Sequence, residues 1–288
     1  MTRFMSSEAA RGYALLLPAF LVVLATLAAP VTLLVLYSFW TQDYVTIDRD
    51  FTLGNYAKLI ERGAYIGVFL RSLGIAALVT LITVVLAYPL AYFVAFDVRR
   101  HKMVWLVLVT LPFWTSYLLR VFTWKIILGF NGVINSGLSE LGLIGEPLAF
   151  LLYNPTAVVI TMVHAWAAFA VLPIYVSLEK IDRSLIEAAT DLGDGPIARF
   201  WRVTFPLSLP GVLAAAVIIF IPTVGDYVTP TLVGGPSGIM ISNLIQTQFG
   251  KANDWPLGAA LSIASMAIVT AIAVMFVLAS RRATERIG

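Results

Sequence analysis

Between Glu179 and Gly211 the chain reads EKIDRSLIEAATDLGDGPIARFWRVTFPLSLPG, a polar island with a long apolar run on each side. It divides into two short helices. Ser184 followed three residues later by Glu187 has the form of a capping box, and Leu185, Ala188, Ala189 and Leu192 then recur at i, i+3, i+4 and i+7 on one face. Gly193 stops this first helix. Gly195 turns the chain, and Pro196 takes the favourable first position of a second helix, on which Ile197, Phe200, Trp201 and Thr204 share a side with Arg199 and Arg202 nearby. Pro206 is expected to end that helix, and Pro210 with Gly211 to begin the next apolar run. A short helix striped with small and apolar residues has little beside it in its own chain to bury against. Either it packs back on the adjoining apolar runs, or it is a knob for another protein's groove. In the second case Ala188 and Ala189 admit a close backbone, and the turn at Gly193 sets the angle at which a push is transmitted.

Outward from the island, the apolar runs dominate. Of 288 residues, 60% are hydrophobic and 12% charged, about half the charged share of an average soluble domain. Runs longer than the roughly 18 residues that cross the hydrocarbon core make the bilayer the natural solvent. The spans expected are about 12–39, 68–96, 103–126, 154–178, 207–229 and 257–280. The first, from Tyr13 to Phe39, is longer than the apolar region of a signal peptide and is taken as a retained span. An even number of spans puts both termini on one side. That side holds twelve of the 19 Lys and Arg residues, Arg3, Arg99, Arg100, Lys180 and Arg286 among them, so it is assigned to the cytoplasm. Segments 40–67, 127–153 and 230–256 then lie outside, and Val133–Leu152 suits a short interfacial helix. The expected fold is an all-α polytopic membrane protein of six transmembrane helices with cytoplasmic N and C termini. It forms a single domain over 1–288 with its core at about 68–280.

Several chemistries are missing. There is no cysteine, hence no disulfide or thiolate metal site. Gly250-Lys251 is followed by Ala252 and has no glycine five residues earlier, so no phosphate-binding loop exists. Two distant histidines and the lack of a Gly-x-Ser-x-Gly elbow leave nothing for metal or triad catalysis, so the chain is expected to be a non-catalytic transport subunit without a cofactor of its own. The net charge of +3 is placed beside anionic lipid, not nucleic acid. An ion-gradient-driven secondary transporter should show acids at mid-depth or an inverted repeat, and neither is evident.

For a translocation pathway, Asp226 stands out near the end of the fifth apolar run, where a carboxylate is costly unless it faces water, a partner or the pathway. Tyr227, Trp114, Tyr117 and Trp255 carry faces that hold amines by cation–π contact, although an interfacial aromatic belt uses the same residue types. Arg71, Arg120 and Lys125 suit snorkelling anchors, and His164 a packing residue.

At the loop the chain resembles a known family. Glu187-Ala188-Ala189, three residues, Gly193, nine more, and Val203-Thr204-Phe205-Pro206 are similar to the EAA signature of membrane permease subunits of binding-protein-dependent ABC importers, with Phe205 where leucine is common. Phe51-Thr52-Leu53-Gly54-Asn55-Tyr56, Pro112-Phe113-Trp114-Thr115, Gly225-Asp226-Tyr227-Val228, Gly234-Gly235-Pro236 and Asp254-Trp255-Pro256 resemble stretches of the spermidine/putrescine importer permeases. The resemblance implies a type I importer permease of the bacterial inner membrane, paired with a homologous second permease. It also implies two cytoplasmic ABC ATPase subunits that bind Mg-ATP and a periplasmic substrate-binding protein. Segment 179–206 becomes the coupling loop, with Glu187, Ala188, Ala189, Asp191, Leu192, Gly193 and Phe200 as its ATPase-coupling residues. The implied solute is a polyamine or a related small organic cation, with amino-acid-like or opine-like solutes as the alternative.

Overall fold

The computed structural model describes residues 8–44 and 46–285, with side chains from 12–44 and 46–278. Arg3 and Arg286, counted above for orientation, lie outside the described residues. Among the described residues, five helical stretches are long and apolar enough to cross a membrane, and a bent pair supplies a sixth region. The elements are α1 (Glu8–Ser38), a hairpin of β1 (Thr41–Asp43) and β2 (Thr46–Asp48), α2 (Gly54–Glu61), α3 (Gly63–Tyr92), α4 (Lys102–Thr110), α5 (Tyr117–Ile127), α6 (Val133–Glu140), α7 (Pro155–Glu179), α8 (Arg183–Asp191), α9 (Pro196–Arg199), α10 (Phe205–Gly225), α11 (Ile241–Gly250) and α12 (Trp255–Glu285).

The span expected at 103–126 is broken. After α4 the chain tightens into a 3-10 turn over Leu111–Trp114, and α5 leaves at 82° to the preceding stretch. Pro112 has no N–H for a helical ladder. Thr115 and Ser116 are extended at ψ 154° and 134°, and the Thr115 hydroxyl donates back to the Pro112 carbonyl at 2.7 Å.

A second correction concerns Pro206, which ends nothing: α9 runs through a π turn over Phe200–Thr204 into α10, as one stretch from Pro196 to Gly225. The Phe205 N–H bonds five residues back to the Phe200 carbonyl. This wider turn stands just ahead of Pro206, whose ring would crowd the carbonyl four residues back within a regular helix.

The chain forms two compact units, one of residues up to Arg62 with Thr247–Ala264, the other of Gly63–Gln246 with Ser265 onward. In the larger unit α3, α7 and α10 pack through small buried residues, among them Ala76, Ala91, Ala157, Ala165, Ala170 and Ala215. Helices in lipid gain little from apolar burial against each other, so close backbone packing carries the association. At Gly211 a Cβ would collide with the Ser177 side chain and the Pro173 carbonyl. In the smaller unit, β1 pairs antiparallel with β2, with Gln42 opposite Ile47, which the all-α expectation lacks. Asn55 is buried and donates to the carbonyls of Ser38 (3.1 Å) and Trp40 (2.7 Å), tying α2 to the end of α1. Throughout residues 12–33 the side chains of α1 are exposed, as suits lipid or another subunit.

Candidate functional site

The polar island folds as two helices meeting at a sharp turn. Asp182, not Ser184, caps α8: its carboxylate accepts the Ser184 N–H at 2.9 Å. The capping-box expectation is displaced by two residues because Asp182 already satisfies an N-terminal donor, which places Ser184 inside the helix. That hydrogen bond holds the Asp182 carboxyl below its ordinary range.

At the other end Gly193 takes φ +91°, with its N–H on the Thr190 carbonyl (2.9 Å) and the Asp194 N–H on the Ala189 carbonyl (3.0 Å). This is the Schellman arrangement, closed by backbone alone. Nothing crowds the glycine, so its handedness is the constraint. Two contacts across the turn set the angle: Arg199 donates to the Thr190 hydroxyl (2.8 Å), and Arg202 pairs with Asp194 (2.7 Å).

The stripe foreseen on α8 splits. Ala189 is buried and Ile186 packs on the core. Leu185, Ala188 and Leu192 face outward, Leu192 with 87% of its surface free. Glu187 and Asp191 are exposed on the same outward side and form no hydrogen bond among the described residues.

Phe200 is the inward anchor. It meets Tyr88 edge-on at 5.6 Å and Tyr92 at 6.4 Å, both on α3. Tyr88 in turn shares a 2.8 Å hydrogen bond with Ser208 of α10. The loop thus rests on α3 and α10 through packed rings and one shared hydroxyl pair. At the end of α7, Lys102 Nζ joins both Glu179 oxygens (2.8 and 3.0 Å) and the Ala95 carbonyl (2.8 Å), fastening the start of α4 beside the loop.

The other group foreseen, around Asp226, is scattered in part. Asp226 directly follows the last residue of α10 and is buried, 9% exposed. Oδ1 accepts the N–H groups of Val228 (2.8 Å) and Thr229 (3.2 Å), while Oδ2 accepts the Thr229 hydroxyl (2.6 Å) and the Tyr117 hydroxyl. Four donors fill both oxygens. Ser242 adds a bond to the Asp226 carbonyl at 2.6 Å. Asp226 and Tyr117 are thus brought together, whereas Tyr227 and Trp114 project outward, Trp114 with 84% of its surface free. Trp255 belongs to the smaller unit, where it packs on Phe249 and Tyr37 and donates its indole N–H to Asn253 at 3.0 Å.

Arg120 departs from the anchor role expected of it. It is half-buried, with Nη1 donating to the Ala165 carbonyl at 3.2 Å and its guanidinium over the rings of Phe113 and Tyr117. The 82° bend turns that face of α5 inward, which no local pattern discloses. Among the described residues no cluster of three metal-ligating side chains occurs.

Residues 63–285 match the family described as "Binding-protein-dependent transport system inner membrane component". The spermidine/putrescine transport system permease protein PotB of Escherichia coli K12 is 36% identical over 251 residues, 87% of this chain and 90% of that protein. Its namesake from Haemophilus influenzae is 31% identical, with 82% of each chain covered. Among solved structures, a bacterial ABC transporter that imports the acidic polysaccharide alginate aligns with a TM-score of 0.74 at 20% identity, covering 94% of each chain. An amino acid ABC transporter with histidines aligns at 0.51 and 16% identity, over 79% of this chain and 97% of that one. With a family match over most of its length and several helices apolar enough to cross a membrane, the chain belongs to that family, as a multi-pass inner-membrane permease subunit of an ABC importer.

Proposed function

We propose that the chain forms part of the translocation pathway for polyamines, spermidine or putrescine, and that segment 179–206 couples this pathway to separately encoded ATPases. One observation carries the coupling: the outward face of Leu185, Ala188 and Leu192 is left uncovered while Ala189 and Phe200 bind the same element to the spans. A helix so held transmits force without being buried itself. Two cytoplasmic ABC ATPases, which bind the Mg-ATP, grip α8 through the exposed Glu187, Ala188, Asp191 and Leu192, while the buried Ala189 holds the helix from behind. Gly193 and Phe200 convert that grip into movement of α3 and α10. The loop and both termini then face the cytoplasm, a homologous second permease completes the pathway, and a periplasmic binding protein delivers the solute. The substrate class is supported by the names of the relatives at 31–36% identity.

The subunit contributes contacts that differ between two conformations of the complex, which is all that a coupling element can supply. Proteoliposomes holding the complete transporter and its binding protein should accumulate labelled spermidine only with ATP inside the compartment that the ATPases face. Uptake driven by an ion gradient without ATP, or ATP-driven uptake of an amino acid in place of polyamine, would overturn the reading.

A further inference from the structure

Just beyond the bend between α4 and α5, Arg120 stands against an aromatic wall. Its guanidinium carbon is 5.1 Å from the Phe113 ring centroid and 5.7 Å from that of Tyr117. Phe113 meets Phe169 edge-on at 4.1 Å, and Trp166 lies 5.6 Å from Phe169 and 5.8 Å from Tyr117. The four rings pack as one continuous cluster, of which Phe113 and Tyr117 face the guanidinium.

The cation in front of them is poorly held. A guanidinium has five N–H donors. Here a single acceptor, the Ala165 carbonyl, receives one of them, and Nε is buried without a partner. Arg120 has no ion pair among the described residues, since Asp226, the nearby carboxylate on Tyr117, already has four donors on its oxygens. A half-buried charge kept beside two rings by one carbonyl, with no counter-ion, is costly within a bent apolar span and marks a functional position.

We propose that Phe113 and Tyr117, backed by Trp166 and Phe169, form an aromatic box for an ammonium group, and that Arg120 is its resident, displaceable occupant. This rests on the amine reading of the solute. An organic ammonium group docking on these rings expels the guanidinium, because two like charges over the same ring faces repel each other. The ring faces attract an ammonium group by the same quadrupole that holds the guanidinium. Arg120 thus keeps the box filled between solutes and sets the threshold that an incoming amine must exceed, which makes it a specificity-determining residue. The Tyr117 hydroxyl stays on Asp226 throughout and keeps the ring in place.

The test uses the assembled transporter in lipid nanodiscs without binding protein, and two probes, tetramethylammonium and spermidine, titrated at constant ionic strength. R120Q should bind both more tightly than wild type, by on the order of ten-fold, R120K should remain at the wild-type level, and F113L should abolish the gain in the R120Q background. Where R120Q does not assemble, R120M, unbranched and apolar, takes its place. In the wild-type complex, tetramethylammonium should accelerate phenylglyoxal modification of Arg120, followed at that residue by peptide mass spectrometry against a sodium chloride control. Unchanged binding in an assembled R120Q or R120M complex, a gain that survives F113L, or unchanged labelling of Arg120 would each overturn the proposal. Tetramethylammonium reports on the box whatever the natural solute, so loss of the polyamine reading with a retained tetramethylammonium gain would leave the exchange intact.

Discussion

The turns at Gly193 and at Asp226 perform one task, ending a helix and aiming the next segment of chain, by opposite chemistry. At Gly193 the backbone closes on itself, with a left-handed φ and two helical carbonyls satisfied, in full contact with solvent. At Asp226 a buried carboxylate gathers two N–H groups and two hydroxyls, one of them 109 residues away in the chain. The difference teaches where side chains are required. A turn bathed in water needs only the right backbone conformation, because water serves the groups left over. A buried turn has no such reserve, and every donor must be met from within.

The largest effect is expected from D226A. Removing the acceptor strands two N–H groups and leaves the Tyr117 and Thr229 hydroxyls, 2.7 Å apart, only each other; it should cost about 3–5 kcal/mol, read as a lower unfolding midpoint of the detergent-solubilised protein. D226N, which keeps an acceptor oxygen, should lose less. Wild-type stability in D226A would break the comparison and leave Asp226 as a residue held for a ligand.

An intermediate effect is expected from G193V. A β-branched residue at φ +91° carries a strain of roughly 1–2 kcal/mol, confined to the loop because the space around Gly193 is open. Thermal unfolding of the spans should hardly change, while ATP hydrolysis is no longer converted into uptake. G193N, which tolerates the left-handed region, should recover part of the transport. Full uptake in G193V would show that the angle between α8 and α9 does not matter.

The smallest effect concerns pH at the start of α8. The Asp182 carboxyl is held below its ordinary range in the folded state. Its contribution is therefore complete above the usual carboxylate range and is lost as pH falls through the depressed folded value. Protection of the Ser184 amide, taken relative to its intrinsic exchange rate at each pH, should fall in acid, and D182A should remove this pH dependence. Equal protection at low pH in the wild type would place the cap elsewhere.

Legibility in the sequence obeys the same division. The apolar runs expected at 68–96 and 154–178 are helices at 63–97 and 155–179, since run length alone distinguishes a span. Gly193 is visible because only a few neighbouring residues make the turn. The capping expectation at Ser184 misses by two residues, as Asp182, Ser184 and Glu187 offer competing local caps and geometry chooses among them. Pro206 misleads because a π turn, which has no signature in a run of apolar residues, absorbs it. Arg120 misleads for a more general reason: near the end of a straight span a cation would snorkel, but this span is bent.

By itself the sequence determined the solvent, the number of apolar segments and the position of the glycine-broken loop. Each depends on run length or on a backbone conformation required by adjacent residues. Only the tertiary structure decided that α4 and α5 part by 82°, that Arg120 reaches a carbonyl 45 residues on, and that Asp226 is saturated by donors from two helical regions. Such partners are chosen by packing between distant segments, where the low dielectric makes each unmet polar group costly and no local pattern records which neighbour will meet it.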